Sequence, residues 1–254
     1  MKITFLGTGT SQGVPVIACK CDTCISIDSK DKRLRSSVLI EIEGQNLLID
    51  AGPDFRQQML RTDVQRLTAI LLTHSHKDHI AGLDDVRAFN WVEQKPIDIY
   101  AEILVQKAVM NEFSYAFAEK KYPGVPQINL IEIKDKPFFI QEIEIIPLRI
   151  SHFNLPILGF RIGNFAYITD ANFIPTETYT LLENLDILVI NGLRWEKHLS
   201  HFSLPEAIAE IEKIKPKQAY ITHIGHQLGK HAEVNVDLPA NVYLSFDELV
   251  LNLI

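Results

Sequence analysis

The sequence is poor in cysteine, in long apolar runs and in blocks of basic charge. Only three of its 254 residues are cysteine, and Cys19, Cys21 and Cys24 all fall within six positions. An odd number crowded into one stretch argues against a disulfide framework. No apolar run approaches the roughly 20 residues that a membrane span needs. The opening Met1-Lys2-Ile3-Thr4-Phe5-Leu6-Gly7 reads as a strand rather than a signal peptide. A cytoplasmic location with no membrane partner is therefore the expectation. Lysine and arginine number 25 against 32 aspartate and glutamate, a net charge of −7. No basic cluster offers an extended nucleic acid its electrostatic footprint. A small anionic substrate stays open, because a bound cation can supply local positive charge.

What the chain does contain is ample apolar material, 46% of residues, enough for a packed core. Strands are expected at Lys2–Leu6, Ser37–Ile42 and Asn46–Asp50, with Glu43-Gly44 turning between the last two. A helical stretch follows over 54–60, a strand over 67–73, and a helical pattern from Ile80 to Val92 with Leu83, Val86 and Phe89 on one face. Residues 97–101 read as a strand and 102–113 as a helix. The stretch 114–126 is irregular and flanks either the site or the surface. Strands are expected again at 138–149, 157–162 and 165–169, turned at Gly163-Asn164, then a helix over 175–185. Strand 186–191, helix 204–215 and strand 217–222 complete the pattern. Strands followed by helices, twice over and with no linker, imply one α/β domain over 1–254, a sheet sandwich covered by helices.

The residues that carry chemistry stand at strand ends. His74, His76, Asp78 and His79 come directly after the apolar run Ala69-Ile70-Leu71-Leu72-Thr73. A His-rich turn in water needs no special explanation, but three imidazoles and a carboxylate at the end of a buried strand are costly unless a cation binds them. His152, Asp170 and His223 each follow a further apolar strand, which completes seven ligands, about the number that two metals sharing a carboxylate require. Cys-x-Cys-x-x-Cys in a polar loop with Lys20, Asp22 and Thr23 reads as a zinc site rather than core packing.

His74-Ser75-His76-Lys77-Asp78-His79 resembles the His-x-His-x-Asp-His signature of the metallo-β-lactamase superfamily, and the spacing to His152, Asp170 and His223 is similar to its hydrolase branch. The resemblance covers nearly the whole chain and implies an αββα sandwich of two mixed β-sheets with helices on the outer faces. It also implies a first metal on His74, His76 and His152, a second on Asp78, His79 and His223, and Asp170 as bridge. Asp50, in Leu48-Ile49-Asp50-Ala51-Gly52-Pro53, is then expected to orient a ligand, where a buried structural carboxylate is the plainer alternative.

Gly7-Thr8-Gly9-Thr10-Ser11-Gln12-Gly13-Val14-Pro15, followed by the three cysteines, resembles a narrower subgroup that includes the cyclic phosphodiesterase of the carbon–phosphorus lyase pathway. The glycine spacing does not fit a dinucleotide-binding loop. The subgroup implies a structural zinc on Cys19, Cys21, Cys24 and His226. In Arg194-Trp195-Glu196-Lys197-His198-Leu199-Ser200-His201-Phe202-Ser203 it implies His201 as the histidine that assists the leaving group. His198 is the lesser alternative, and His231, beside Lys230, is read as solvent-exposed.

The expectation is a hydrolase with two catalytic divalent metals, zinc or manganese, acting on a small anionic, possibly cyclic, phosphodiester, with Asp78 and His201 as catalytic residues. A homodimer is compatible with the sequence, which does not fix the oligomeric state. Competing readings are a tRNA 3′-end-processing nuclease, which the acidic balance disfavours, and a thioesterase or lactonase of the same fold. A non-enzymatic binding module is disfavoured because every ligand position is filled.

Overall fold

The computed structural model describes residues 1–253 and divides into two compact units. The first unit takes residues 1–6, 37–134 and the chain from Val250 onward. The second takes residues 7–36 and 135–249.

The first unit is built on a seven-stranded mixed sheet. Its strands are β1 (Lys2–Gly7), β2 (Ser37–Ile42), β3 (Gln45–Ile49), β4 (Ala69–Leu71), β5 (Ile97–Ala101), β6 (Ile128–Glu132) and, last in the chain, β14 (Val250–Asn252), in the order β14-β1-β2-β3-β4-β5-β6. β2 and β3 form the expected hairpin, with Ile42 opposite Gln45. Glu43 (φ 50°) and Gly44 (φ 75°) both turn left-handed, which matches the twist of a two-residue hairpin loop. From β3 to β6 the pairing is parallel, and the near-continuous apolar runs of β3 and β4 are what parallel strands require. Leu48, Ile70 and Ile99 pack with Phe55, Phe89, Val105 and Val109 from the helices Phe55–Arg61, Arg87–Glu93 and Ile103–Glu112. The expected helix over 80–92 is broken into Lys77–Ile80, a tight turn at Leu83–Val86, and Arg87–Glu93. The stretch 114–126 begins with a short helix, Ser114–Phe117, whose Ala116 joins the apolar core, so its start is packing rather than site.

The second unit carries another seven-stranded mixed sheet. Its strands are β7 (Phe138–Ile140), β8 (Ile143–His152), β9 (Leu155–Ile162), β10 (Phe165–Tyr167), β11 (Ile187–Asn191), β12 (Gln218–Thr222) and β13 (Val242–Leu244), ordered β13-β12-β11-β10-β9-β8-β7. β7 to β10 pair antiparallel, and β10 to β13 pair parallel. The single strand expected over 138–149 is in fact the β7–β8 hairpin, turned at Gln141 (φ 54°) and Glu142. The helix expected over 175–185 shrinks to Thr176–Tyr179 and a tight turn at Thr180–Leu182. Helix Leu204–Ile214 starts at a capping box: Ser203 and Glu206 satisfy each other's end of the first turn. Its face of Leu204, Ala207 and Ile211 packs on Leu188, Ile190 and Ile221. Among the described residues, no helix is long and apolar enough to cross a membrane.

Candidate metal centre

In the first unit, the segment after β4 clusters three imidazoles, His74 edge-on to His76 and tilted against His79. The His74 ring lies 4.6 Å from that of His76 and 4.2 Å from that of His79. His74 and His79 are buried, Asp78 is half-buried and His76 is exposed. Each buried ring is oriented through Nδ1. His79 Nδ1 donates to Asp50 Oδ2 at 2.7 Å. Thr73 Oγ1 donates to the same carboxylate at 2.9 Å and accepts from His74 Nδ1 at 2.9 Å. Both rings therefore carry their acceptor lone pair on Nε2, the form a metal takes up. His79 Nε2 lies 3.1 Å from Asp78 Oδ2. Asp50 is fully buried; burial pushes its carboxyl up, while His79 and Thr73 pull it down. The segment sits tightly on the Asp50 loop: a Cβ on Gly52 would lie 2.0 Å from the Asp78 carbonyl oxygen. Only glycine allows this approach.

In the second unit, His152 ends β8, Asp170 follows β10 and His223 follows β12. His152 Nδ1 donates to the carbonyls of Asp170 (2.7 Å) and Ser200 (2.8 Å), which again places the lone pair on Nε2. Asp170 Oδ1 lies 3.2 Å from His223 Nδ1 and 2.6 Å from the Thr169 hydroxyl, which donates to it. Ligand atoms of His152, Asp170 and His201 lie within 4.8 Å of one another. His201 Nδ1 is buried without a hydrogen-bond partner among the described residues, 3.9 Å from Asp170 Oδ2. Burial first, then the neighbouring His223, pushes the His201 imidazole down to about 3. His201 is thus a neutral ring at pH 7, with one N–H to donate. The His198 ring lies tilted against it at 5.1 Å, and burial followed by Arg194 lowers its pKa as well.

Several positioning residues carried no role of their own in the sequence pattern. Asn191, fully buried at the end of β11, accepts from Ala171 N through Oδ1 (2.7 Å) and donates to Ala171 O through Nδ2 (2.9 Å), which fixes the backbone just past Asp170. Thr10 Oγ1 contacts His223 Nε2 at 3.2 Å and Ser36 Oγ contacts His223 Nδ1 at 3.3 Å. Thr10 lies in the glycine-threonine run, so that run lies against His223; a lone Ser36 carried no signal at all. Asp50 (φ 63°), Asp170 (φ 59°) and His223 (φ 55°) are all left-handed, a conformation that L-residues adopt at a cost of about 1–2 kcal/mol. Nine other non-glycine residues, including the turn residues Glu43 and Gln141, share this conformation.

Also in the second unit, His226 Nδ1 lies 3.4 Å from Cys19 Sγ, 3.3 Å from Cys21 Sγ and 3.5 Å from Cys24 Sγ. Tetrahedral zinc with bonds of about 2.3 Å to sulfur and 2.0–2.1 Å to nitrogen sets such edges at about 3.5 Å. The Cys24 backbone N–H and His226 lower the Cys21 thiol to about 6, whereas burial pushes the Cys24 thiol up to about 11.

His231 corrects the sequence reading. It is buried, with a relative exposure of 6%. Its Nδ1 accepts from buried Arg33 Nη2 at 3.2 Å, and its backbone N–H donates to Asp31 Oδ1 at 2.7 Å. Arg33 also donates to Thr8 Oγ1 and the Ser245 carbonyl, so the ring completes a buried network rather than facing water as its neighbour Lys230 implied.

The sequence profile described as "Beta-lactamase superfamily domain" matches residues 45–224, and the chain therefore belongs to the metallo-β-lactamase superfamily. Its two mixed sheets with their helices are the element set of the αββα sandwich fold, and within the superfamily it is PhnP-like. A structure described as a new diphosphatase from the PhnP family shares 38% identity with it at a TM-score of 0.93, covering 98% of this chain and 96% of that one. A protein of Porphyromonas gingivalis named octanoyltransferase is 41% identical over 252 residues, 98% of this chain but 51% of its own length. Human tRNase Z, short form, superposes at a TM-score of 0.73 over 99% of each chain; at 20% identity this likeness concerns the fold. The chain spans about half the length of the curated relative named octanoyltransferase.

Proposed function

We propose that this protein is a metal-dependent hydrolase that cleaves a phosphorus–oxygen bond in a small phosphodiester. The observation carrying this reading is the common polarity of three site histidines: His74, His79 and His152 each commit Nδ1 to an oxygen and turn the Nε2 lone pair the other way. Oxygen partners that fix one tautomer on ring after ring suit a cation. His74, His76 and His152 would hold one divalent metal, and Asp78, His79 and His223 a second, with Asp170 shared. Mixed imidazole and carboxylate donors suit zinc or manganese. Such ions supply an activated water near neutral pH and polarise a phosphoryl oxygen.

The chain's own residues do the rest. Thr73 and Asp50 orient the two buried rings, Asn191 holds the backbone beyond Asp170, and the carboxylate of Asp78 adds negative charge that retains metal. Neutral His201 donates its N–H to the departing oxygen as negative charge develops there. Cys19, Cys21, Cys24 and His226 would hold a further zinc as a closed, structural site. The PhnP-family relative's description as a diphosphatase supports phosphorus chemistry. The octanoyltransferase name belongs to a protein twice as long and supports a thioester only as a competitor.

The test is turnover of bis-p-nitrophenyl phosphate, a cyclic nucleotide, an octanoyl thioester and a β-lactam by the full chain, with metal content measured on the same sample. Phosphodiester turnover should disappear together with bound catalytic metal in Asp170→Asn, while Cys21→Ser should lose one zinc per chain. Full activity in metal-free protein, or turnover of the thioester alone, overturns the reading.

A further inference from the structure

Between Pro15 and Lys30 only Thr23 and Cys24 are buried, while Ile17, Ile25 and Ile27 all face solvent. A loop with so little apolar burial is held mainly by what its polar atoms bind. Its three sulfurs gather about His226, and the four donor atoms lie within 4.8 Å of one another. The thiols are not equivalent. Cys24 is buried; its Sγ accepts from Val16 N–H at 3.4 Å and its carbonyl from Lys32 Nζ at 3.1 Å. Cys19 is half-buried, whereas Cys21 is exposed and opens the short helix Asp22–Ile25. Lys20 and Asp22 flank Cys21 with opposite charges, so exposure rather than a local field sets it apart. Cys21 and Cys24, three residues apart on one turn, are neighbours. Cys19 and Cys21, with one residue between them, would close a tighter and more strained ring.

The other side of the cluster is the turn after β12. Ile224 donates to the Thr8 carbonyl at 2.9 Å and accepts from Thr10 N–H at 3.1 Å, which ties the turn to the N-terminal loop. Gly225 N–H donates to the Leu193 carbonyl at 2.9 Å. Arg194 Nη1 donates to Gln227 Oε1 at 3.1 Å, and Trp195 Nε1 to the Leu228 carbonyl at 2.9 Å. Residues 223–228 thus carry His223, anchor the loop that leads to His201, and supply the imidazole that the three sulfurs surround. An event at the sulfurs therefore reaches His223 through three residues of one turn.

We propose that Cys21 and Cys24 form an oxidative modification site: a peroxide closes them into a disulfide, the cluster releases its zinc, and the hold on His223 loosens. The inference rests on the structural-zinc reading above and adds a redox response to it. In the first step the Cys21 sulfur attacks one peroxide oxygen; an S–O bond forms, the O–O bond breaks, and the departing hydroxide takes up a proton as water. The Cys24 sulfur then attacks the Cys21 sulfur; the S–S bond forms, the S–O bond breaks, and a second hydroxide leaves and is protonated to water. Two thiolates give up two electrons, and one peroxide is reduced to two waters. Cys19 and His226 alone are too few ligands for a closed tetrahedral site. A thiol reductant, with zinc present, reverses the change by exchange at the disulfide.

The experiment treats the zinc-loaded full chain with hydrogen peroxide and follows released zinc with a metallochromic indicator. One zinc per chain should appear in step with disulfide formation, and the chain mass should fall by about 2 Da as two thiols lose their hydrogens. Peptide mapping should join Cys21 to Cys24 and leave Cys19 free. With dimedone present, the sulfenic adduct should form on Cys21. Manganese, which thiolate ligands do not favour, reports on the other centre. Its affinity should fall roughly 10–100-fold in the oxidised chain, the scale of losing a group that orients a ligand, and return after reduction with zinc. A disulfide to Cys19, an adduct spread evenly over the three thiols, or zinc retained while methionine is oxidised overturns the inference. Unchanged manganese affinity after zinc release overturns the link to His223. Untreated protein with no zinc on the thiols overturns the structural-zinc reading and this inference with it. None of these outcomes requires phosphodiester turnover, so the hydrolase reading stands or falls separately.

Discussion

His201 illustrates how a single side chain acquires its role from its surroundings. With its imidazole pushed down to about 3, below the ordinary value of about 6.5, it is neutral at pH 7, and in the proposed role it would donate as an N–H rather than as an imidazolium. Such a donor matters most when the departing oxygen is basic. His201→Ala should therefore lower turnover by roughly 10²–10⁴-fold on a phosphodiester with an alkoxide leaving group, and much less on a p-nitrophenyl ester. A plot of rate against leaving-group pKa checks this: the variant should show the steeper slope, and parallel lines would instead assign His201 to substrate positioning. At this scale the sequence disclosed the titratable residues, because His74 to His79 are contiguous and His152, Asp170 and His223 each end an apolar run. It did not disclose Thr73, Asn191, Thr10 or Ser36, whose hydrogen bonds depend on chain segments brought together only by folding.

Elements were legible where their pattern is long. Strand 97–101 was read with its observed bounds, and helices 102–113 and 204–215 differ from Ile103–Glu112 and Leu204–Ile214 by a residue at most ends. The three-residue strands β13 and β14 and the half-exposed β6 lack enough alternation to be read, and their pairing with β12, β1 and β5 comes from neighbours rather than local propensity. The exposed reading of His231, which opens the short helix His231–Asn235, failed for a related reason: a buried arginine 198 positions away in sequence decides its environment. That network makes a pH prediction. Burial and the Arg33 charge lower the His231 pKa to about 4, whereas the unfolded ring titrates near 6.5. Between those values the unfolded chain binds a proton that the folded chain refuses, so His231 supports stability above about pH 6.5 and withdraws it as the pH falls towards 4. Urea midpoints measured from pH 7.5 to 5 should fall more steeply in the native protein than in His231→Gln, which still accepts from Arg33. Matching slopes would remove His231 from the acid response.

For the whole molecule, the proposed ligands come from β4, β8, β10 and β12 ends spread over the chain, so metal binding and folding should be linked. An ion that binds only the folded chain adds about 2.7 kcal/mol at a hundredfold excess over Kd. Chelation should lower the thermal midpoint, and zinc or manganese should restore it to different extents, ranking the two. An unchanged midpoint after complete metal removal would show that these side chains are held by the protein alone. The recurrence of strands then helices was legible, but as one domain over 1–254 rather than as two units. The cut points after Leu6 and Ser36 were not, because residues 7–36 belong to the second unit despite preceding most of the first.

The left-handed backbone at Asp50, Asp170 and His223 has a consequence for how this chain can change over time. Glycine relieves that conformation, and asparagine tolerates it better than alanine does. At Asp170, a glycine would discard the ligand yet relax the main chain, so the inactive protein could be the sturdier one. Lineages released from selection for catalysis would then drift towards Gly or Asn at these three strand ends first, leaving a folded scaffold whose lost activity is written in its backbone-permissive residues.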